Sequence, residues 1–204
     1  MGYVGVKPSA VPLTSADITD GIITSAKIAD GTIVNADINA SAAIVASKLS
    51  GTGKVLQVVS TTKIDTFTLS STTTFTDITG LSVSITPSSA SNKILVLVDI
   101  ANGTGATSVN AFRLVRDSTA IGGGTVAGSR QSAFATSQGV DSNGQFSSSF
   151  NYLDSPSTTS STTYKIQAIS NDTMGVNRSK LDTDTNSSFG SRTSSSITVM
   201  EIAA

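Results

Sequence analysis

The sequence contains no cysteine, no histidine and no tryptophan, and Glu201 is its only glutamate. Without cysteine the chain forms no disulfide, so its robustness has to come from packing or from assembly. Without histidine or cysteine it lacks the commonest general base, a thiol nucleophile and every zinc ligand except carboxylates. A pair of aspartates can still run acid–base chemistry. The absences nevertheless point away from an enzyme, and we expect no cofactor.

Charge is also scarce, with 13 Lys and Arg against 14 Asp and Glu in 204 residues. The basic residues are scattered singly, so no stripe is available to neutralise phosphates, and we expect no nucleic-acid partner. No apolar run approaches the length of a membrane span, so we expect no membrane insertion. The first eight residues lack the charged and apolar regions of a signal peptide.

The abundant residues are small and hydroxylated, with 64 Ser or Thr and 17 Gly. Together with frequent Val and Ile, they are typical of strands separated by many turns. The strands that we predict are 54–60, 63–70, 81–86, 93–101, 110–117, 146–153, 164–170 and 196–202. No segment predicts a helix. The sequence therefore predicts an all-β fold, with a jelly-roll β-sandwich over residues 54–204 and long loops at 122–145 and 171–195.

One predicted strand, 93–101, is apolar on both of its faces. The predicted strand 93–101 contains Ile94-Leu-Val-Leu-Val-Asp-Ile100, which is apolar at successive positions. Successive side chains of a strand point to opposite faces of the sheet. The pattern therefore predicts a central strand that is covered from both sides.

Before the predicted sandwich, an aliphatic residue recurs at every fifth position, with one slip near the end. The series is Leu13, Ile18, Ile23, Ile28, Ile33, Ile38, Ile44 and Leu49. A ten-residue repeat is superimposed on it, as in Ser15-Ala-Asp-Ile-Thr-Asp-Gly and Ser25-Ala-Lys-Ile-Ala-Asp-Gly. A period of five fits neither a continuous helix nor a strand. Such a segment gains a core only by stacking or by meeting copies of itself.

Three interpretations of this segment stay open. In the first, three copies form a shaft with the aliphatic series at its centre; in the second, the segment is an extended strap along another subunit. In the third it is a pentapeptide-repeat coil, in which small residues pack inside the corners. That interpretation rests on small residues two positions before five of the aliphatics, namely Ala16, Gly21, Ala26, Gly31 and Ala36.

Several short segments of the sequence resemble segments of known protein families. Tyr3-Val-Gly, Val11-Pro-Leu-Thr-Ser-Ala-Asp-Ile and Ile28-Ala-Asp-Gly-Thr-Ile resemble the N-terminal part of bacteriophage tail-fibre and virion-fibre proteins. Phe112-Arg-Leu-Val-Arg-Asp, Tyr164-Lys-Ile-Gln-Ala and Ser196-Ile-Thr-Val-Met-Glu-Ile resemble the heads of such proteins, which are similar to trimeric jelly rolls of the C1q and tumour-necrosis-factor type.

The resemblance implies a structural protein on the virion, on tail or capsid, made in the host cytoplasm. It implies a homotrimer with a virion-anchoring arm at 1–12, a repeat shaft or connector at 13–53 and a head at 54–204. The anchoring residues would be Tyr3, Val4, Val11 and Pro12, which would contact other virion subunits. The head would attach to a host polysaccharide or protein. Two alternatives are a purely architectural decoration or adaptor protein and a bacterial carbohydrate-binding surface module.

Two further sets of side chains are candidate sites. The aromatic residues in or near the long loops are candidates for facing a receptor, namely Phe134, Phe146, Tyr152 and Phe189. Asp182, Asp184 and Asn186 have the spacing of the first half of a calcium loop. Ser187 and Thr193 stand where such a loop has Gly and Glu, so a polar surface loop is the preferred interpretation and no metal is expected.

Overall fold

The structure is a computed structural model that describes residues 14, 18–39, 42, 54–182 and 191–204. The chain divides into two compact units, Met1–Ser50 and Gly51–Ala204. Within the described ranges, no helix has the length and apolar content that crossing a membrane requires. In the described residues the two units differ in secondary structure, since turns predominate in the first and strands in the second.

The first unit contains a β-turn at every fifth residue. The backbone N–H groups of Ile22, Lys27, Thr32, Asp37 and Ala42 each donate to the carbonyl three residues earlier, over 2.8–3.1 Å. The spacing of these turns equals the spacing of the aliphatic series. The five-residue period of the sequence is therefore a period of chain reversals, which explains why it matches neither helix nor strand.

Two turn types alternate and so account for the ten-residue repeat. The turns at 19–22 and 29–32 carry Asp-Gly at their centre, with Gly21 at a φ of 79° and Gly31 at 78°. A positive φ at the third residue is the requirement of a type II turn, which glycine meets without steric cost. The intervening turns are 3-10 turns at Ser25–Lys27 and Asn35–Asp37, where alanine replaces the glycine.

The described residues of the second unit form eleven strands. Their bounds are β1 Val55–Lys63, β2 Phe67–Leu69, β3 Thr72–Ile85, β4 Lys93–Gly103, β5 Val109–Arg116, β6 Thr119–Ile121, β7 Ala135–Gln138, β8 Phe146–Asp154, β9 Thr162–Ser170, β10 Met174–Val176 and β11 Ser195–Ile202. They form two antiparallel sheets. One has the order β1-β11-β4-β10-β2 with β8 also paired to β4, and the other has the order β3-β9-β5-β6 with β7 also paired to β5.

The two sheets enclose one hydrophobic core. Alternate residues of β4 face it, so Ile94, Val96 and Ile100 are fully buried. From the opposite sheet, Phe112 and Tyr164 are equally buried. Burying one such side chain contributes roughly 1.5–3 kcal/mol. The all-β prediction with two antiparallel sheets is confirmed.

Some strand predictions were wrong in their extent. A strand was predicted at 63–70, but Lys63 is the last residue of β1 and only Phe67–Leu69 forms a further strand, and Ile64 is 78% exposed. The strand predicted at 81–86 begins nine residues earlier, at Thr72, because Gly80 at a φ of 83° lies in a bulge that lets β3 continue past the break in its alternation. The long loops predicted at 122–145 and 171–195 contain the short strands β7 and β10.

The sandwich has two distinct ends, which we name by the path of the chain. At the entry end β1 begins, and the Ala203 N–H donates to the Lys54 carbonyl at 2.8 Å. At the far end lie the connections that follow β4, β7, β9 and β10. These are tied to each other, since the Thr107 N–H donates to Gly139 at 3.0 Å and the Leu181 N–H to Ser142 at 3.2 Å.

Glu201 of β11 is fully buried at the entry end. It links β11 to β1 and to the connection between β3 and β4. Its carboxylate accepts hydrogen bonds from Asn92 at 2.6 Å, from Gln57 at 2.6 Å and from the Ser88 N–H and hydroxyl at 2.6 and 2.8 Å. Burial by itself would raise the pKa of Glu201. The hydrogen bonds from Asn92, Gln57 and Ser88 outweigh it, and the pKa is lowered to about 2.

We expect Glu201→Gln to lower the free energy of unfolding by about 1–3 kcal/mol at pH 7, because an amide NH₂ would face donors. The lowered pKa makes the stabilisation complete above the unfolded-state value of about 4.3. It is lost as the pH falls through about 2. Urea unfolding between pH 7 and pH 2 measures both effects. Equal stability of the two proteins at pH 7 would contradict the assignment.

Candidate self-association face

The outer surface of the five-stranded sheet is covered by the chain itself. Arg113 lies over the Phe75 ring at 4.2 Å, and its Nε donates to Gln167 at 2.8 Å. Lys165 and Asp77 form an ion pair at 2.8 Å. These contacts leave Phe75 only 7% exposed, although it lies outside the central core.

Residues 122–134 reinforce this cover. They leave the sheet beside β5, yet the Gln131 amide donates to the Thr73 carbonyl of β3 at 2.5 Å. In the sheet β9 separates β3 from β5. The segment therefore reaches across the sheet, and Val115 on its outer surface is only 3% exposed.

The outer surface of the six-stranded sheet carries an apolar row. Val58 pairs with Met200, Met200 with Leu95, and Leu95 with Leu153, so one apolar side chain from each of four strands stands in line. Val58 is 54% exposed and Leu153 is 48% exposed. We name these four residues the apolar row. Val55, Leu56 and Ile202 extend it toward the entry end.

Beside the apolar row the same surface becomes polar. The next line of paired residues is Thr198, Leu97 and Asn151, and the one after it is Ser196, Asp99 and Ser149. These six residues, together with Val98 and Phe150, line a groove of about 400 Å³. The Asp99 carboxylate accepts hydrogen bonds from Ser149, at 2.8 Å, and from Ser147. We name it the polar groove.

The outer surfaces of the two sheets differ in how far their apolar side chains are exposed. A contiguous exposed apolar patch on a soluble protein marks an interaction site more often than chance. Burying the exposed half of a Leu or Val contributes roughly 1 kcal/mol. Four to seven such side chains in one patch suit contact with another apolar surface.

The first unit leaves its aliphatic residues uncovered as well. Of the predicted shaft core, Ile18 is 45% exposed, Ile23 53%, Ile28 37%, Ile33 54% and Ile38 40%. Leu13, Ile44 and Leu49 lie outside the described residues. A single copy of the segment therefore does not bury the series.

Two of the candidate receptor-facing aromatics pack inside the sandwich. Phe134 stacks on Phe150 with the ring centroids 4.7 Å apart, and Tyr152 meets Phe134 edge-on at 5.9 Å. All three rings are half-buried against the core. Phe146 is also half-buried, and Phe189 lies outside the described residues. Packing thus accounts for Phe134 and Tyr152 without a receptor.

Most of the remaining candidate site residues lie outside the residues that the structure describes. Tyr3, Val4, Val11, Pro12, Asp184 and Asn186 lie outside the described residues. Asp182 is described, and its carboxylate pairs with Arg192 and lies 3.9 Å from the Arg178 guanidinium. Among the described residues no group of three or more carboxylates converges.

The apolar row was not predicted from the sequence, although β4 carries apolar residues at successive positions. Apolar residues on both faces of that strand predicted cover on both sides. In the described part of the chain, only the face with Ile94 and Val96 is covered, while Leu97 on the other is 36% exposed. The missing cover is the observation that marks this face.

Comparison with known proteins establishes little. No protein family and no curated protein matches this sequence. Two solved structures are similar in fold: infectious bursal disease virus of the Gx strain, and the D431N mutant VP2 protein of that virus in T=1 particles. Each is 14% identical with a TM-score of 0.39 and covers 72% of this chain. This chain spans only 37% and 36% of theirs. Such values establish neither a shared family nor a shared function.

We expect Phe134→Ala to lower the free energy of unfolding by about 2 kcal/mol, because a half-buried ring and its stacking on Phe150 are lost. Val126→Ala is the matched control, since Val126 lies in the same loop and is 61% exposed. Chemical denaturation of both variants measures the difference. An unchanged stability of Phe134→Ala would leave this ring free for a binding role.

Proposed function

We propose that this chain is a structural virion fibre protein that assembles as a homotrimer and attaches to the host surface through its head. Residues 54–204 are the head, 13–53 the shaft or connector, and 1–12 the arm that contacts another virion subunit. The observation that carries the proposal is the apolar row, exposed on one sheet while the opposite sheet is covered by its own chain.

The strand order supports a jelly-roll head. Eight principal strands, β1, β3, β4, β5, β7, β8, β9 and β11, are distributed as β1-β11-β4-β8 and β3-β9-β5-β7. Successive strands thus cross between the sheets, except for β5 and β7, which pair within one sheet, and the first strand pairs with the last. This is the double Greek-key arrangement of a jelly roll.

Self-association follows from uncovered apolar surface in both units. A closed cyclic assembly covers the row of every copy, whereas an open one leaves one row exposed. The same assembly brings three copies of the repeat together, which provides a partner for the exposed Ile23, Ile28 and Ile33. The sparse charge of the chain adds little repulsion to such contacts, with a net charge of −1.

Attachment is assigned to the head because its far-end connections are loops whose described residues are hydrogen-bonded to each other. Thr107, Gly139, Ser142 and Leu181 tie the far-end connections together by backbone hydrogen bonds. A rigid scaffold that displays loops is the common arrangement for recognition. Three weak contacts on one fibre raise the effective affinity about 10²–10⁴-fold without any strong single site.

We expect the wild-type chain to have three times its monomer mass of 20.6 kDa in light scattering. The double substitution Leu95→Asn and Leu153→Asn places amides in the middle of the apolar row and should lower that mass. Val126→Asn is the control, because Val126 is an exposed apolar side chain that lies outside the row. A monomeric wild type, or an unchanged mass in the double variant, would exclude the row as the assembly face.

The repeat is tested separately. Ile23→Asn, Ile28→Asn and Ile33→Asn combined should lower the melting temperature of the assembled chain, because the shaft loses three shared apolar side chains. Asp20→Asn, Lys27→Gln and Asp30→Asn combined provide the control with polar changes in the same turns. If the two triple variants melt alike by circular dichroism, the Ile series is not buried between copies.

A further inference from the structure

We propose that the polar groove binds a neutral hexose or N-acetylhexosamine unit of a surface polysaccharide. The inference rests on the proposed function and deepens it by naming the chemistry of an attachment partner, and it adds the groove as a second contact besides the far-end loops. The groove lies on the six-stranded sheet, next to the apolar row and displaced from it toward the far end.

The groove offers several hydrogen-bonding groups that no other part of the described chain uses. The side chains of Asn151 and Ser196 make no hydrogen bond within the described residues, and Thr198 is bonded only to the Ser60 hydroxyl, at 2.7 Å. Hydroxyl and amide side chains both donate and accept. This is the combination that the hydroxyl groups of a sugar require.

Asp99 fixes the polarity of the site. One of its oxygens accepts from Ser147 and Ser149, which orients the carboxylate, and its other oxygen has no partner in the described chain. An oriented carboxylate binds ligand hydroxyls through charge-assisted hydrogen bonds. No Lys or Arg lines the groove, so phosphate, sulfate and carboxylate ligands are disfavoured.

Leu97 supplies the apolar part of the surface. It stands between Thr198 and Asn151 and is 36% exposed, so the C–H face of a sugar ring can rest on it. Phe150 also borders the groove, but its ring packs against the core and stacks on Phe134. We therefore expect weak binding of a single unit, with a dissociation constant of about 1 mM. A homotrimer would compensate by avidity.

The groove remains accessible beside an assembled apolar row. Asp99 is four residues from Leu95 along β4, and strand residues rise by about 3.3 Å each. The carboxylate thus lies about 13 Å from the row. A contact centred on Leu95 and Leu153 leaves this part of the sheet at its margin.

The test is two-dimensional amide NMR of the full chain with D-glucose, D-galactose, D-mannose or N-acetyl-D-glucosamine, each at about 10 mM, ten times the expected constant. We expect at least one of them to shift the amides of Asp99, Ser149 and Thr198. Asp99→Ala should weaken that binding at least tenfold. Lys93→Ala is the matched control on the same strand and face, and should leave it unchanged.

Three results would overturn the proposal: no shift with any of the four sugars, shifts confined to other surfaces, or equal binding by Asp99→Ala. Asn151→Ala provides a second groove variant in case Asp99→Ala unfolds. The Leu95→Asn and Leu153→Asn variant separates the two proposals, since the groove lies within one chain. Sugar binding that persists in a non-assembling variant supports the groove, whatever the outcome for assembly.

Discussion

The alternation of side chains along β4 is the constraint on which the rest of the molecule depends. β4 pairs with β11 on one side and with β8 on the other, so its backbone is hydrogen-bonded along both edges. Its side chains therefore point to the two faces of the sheet in alternation. One face supplies Ile94, Val96 and Ile100 to the core. The other face supplies Leu95 to the apolar row and Leu97 and Asp99 to the polar groove. The core, the apolar row and the polar groove therefore all depend on the register of one strand.

The outer surface of the five-stranded sheet is largely occupied by contacts within the described chain. Its outer side chains are tied down by Arg113, Gln167 and Lys165, and residues 122–134 lie across it. For Asp77, burial opposes ionisation, but Lys165 and Gln167 outweigh it and lower its pKa, so the pair with Lys165 is ionised at neutral pH. Polar contacts satisfied within the chain leave little for another molecule to bind.

Much of the sandwich was predictable because its strands alternate strongly. The central strand was placed within two residues, since 93–101 compares with Lys93–Gly103. The extent of β3 was missed because the bulge at Gly80 interrupts the alternation on which the prediction depends. The packing of Phe134 and Tyr152 could not be foreseen either, because it depends on a loop meeting a distant strand. The apolar row required the pairing register, which one sequence does not contain.

The alternating turns of the first unit have a consequence for how such a segment can change in length. Type II turns at Asp-Gly and 3-10 turns at Ser-Ala or Asn-Ala follow each other, so neighbouring five-residue units are not equivalent. Loss or gain of one unit would place two turns of the same type in succession and reverse the order of all later ones. Only steps of ten residues preserve the pattern. Insertions and deletions in the segment are therefore expected to comprise whole pairs of turns.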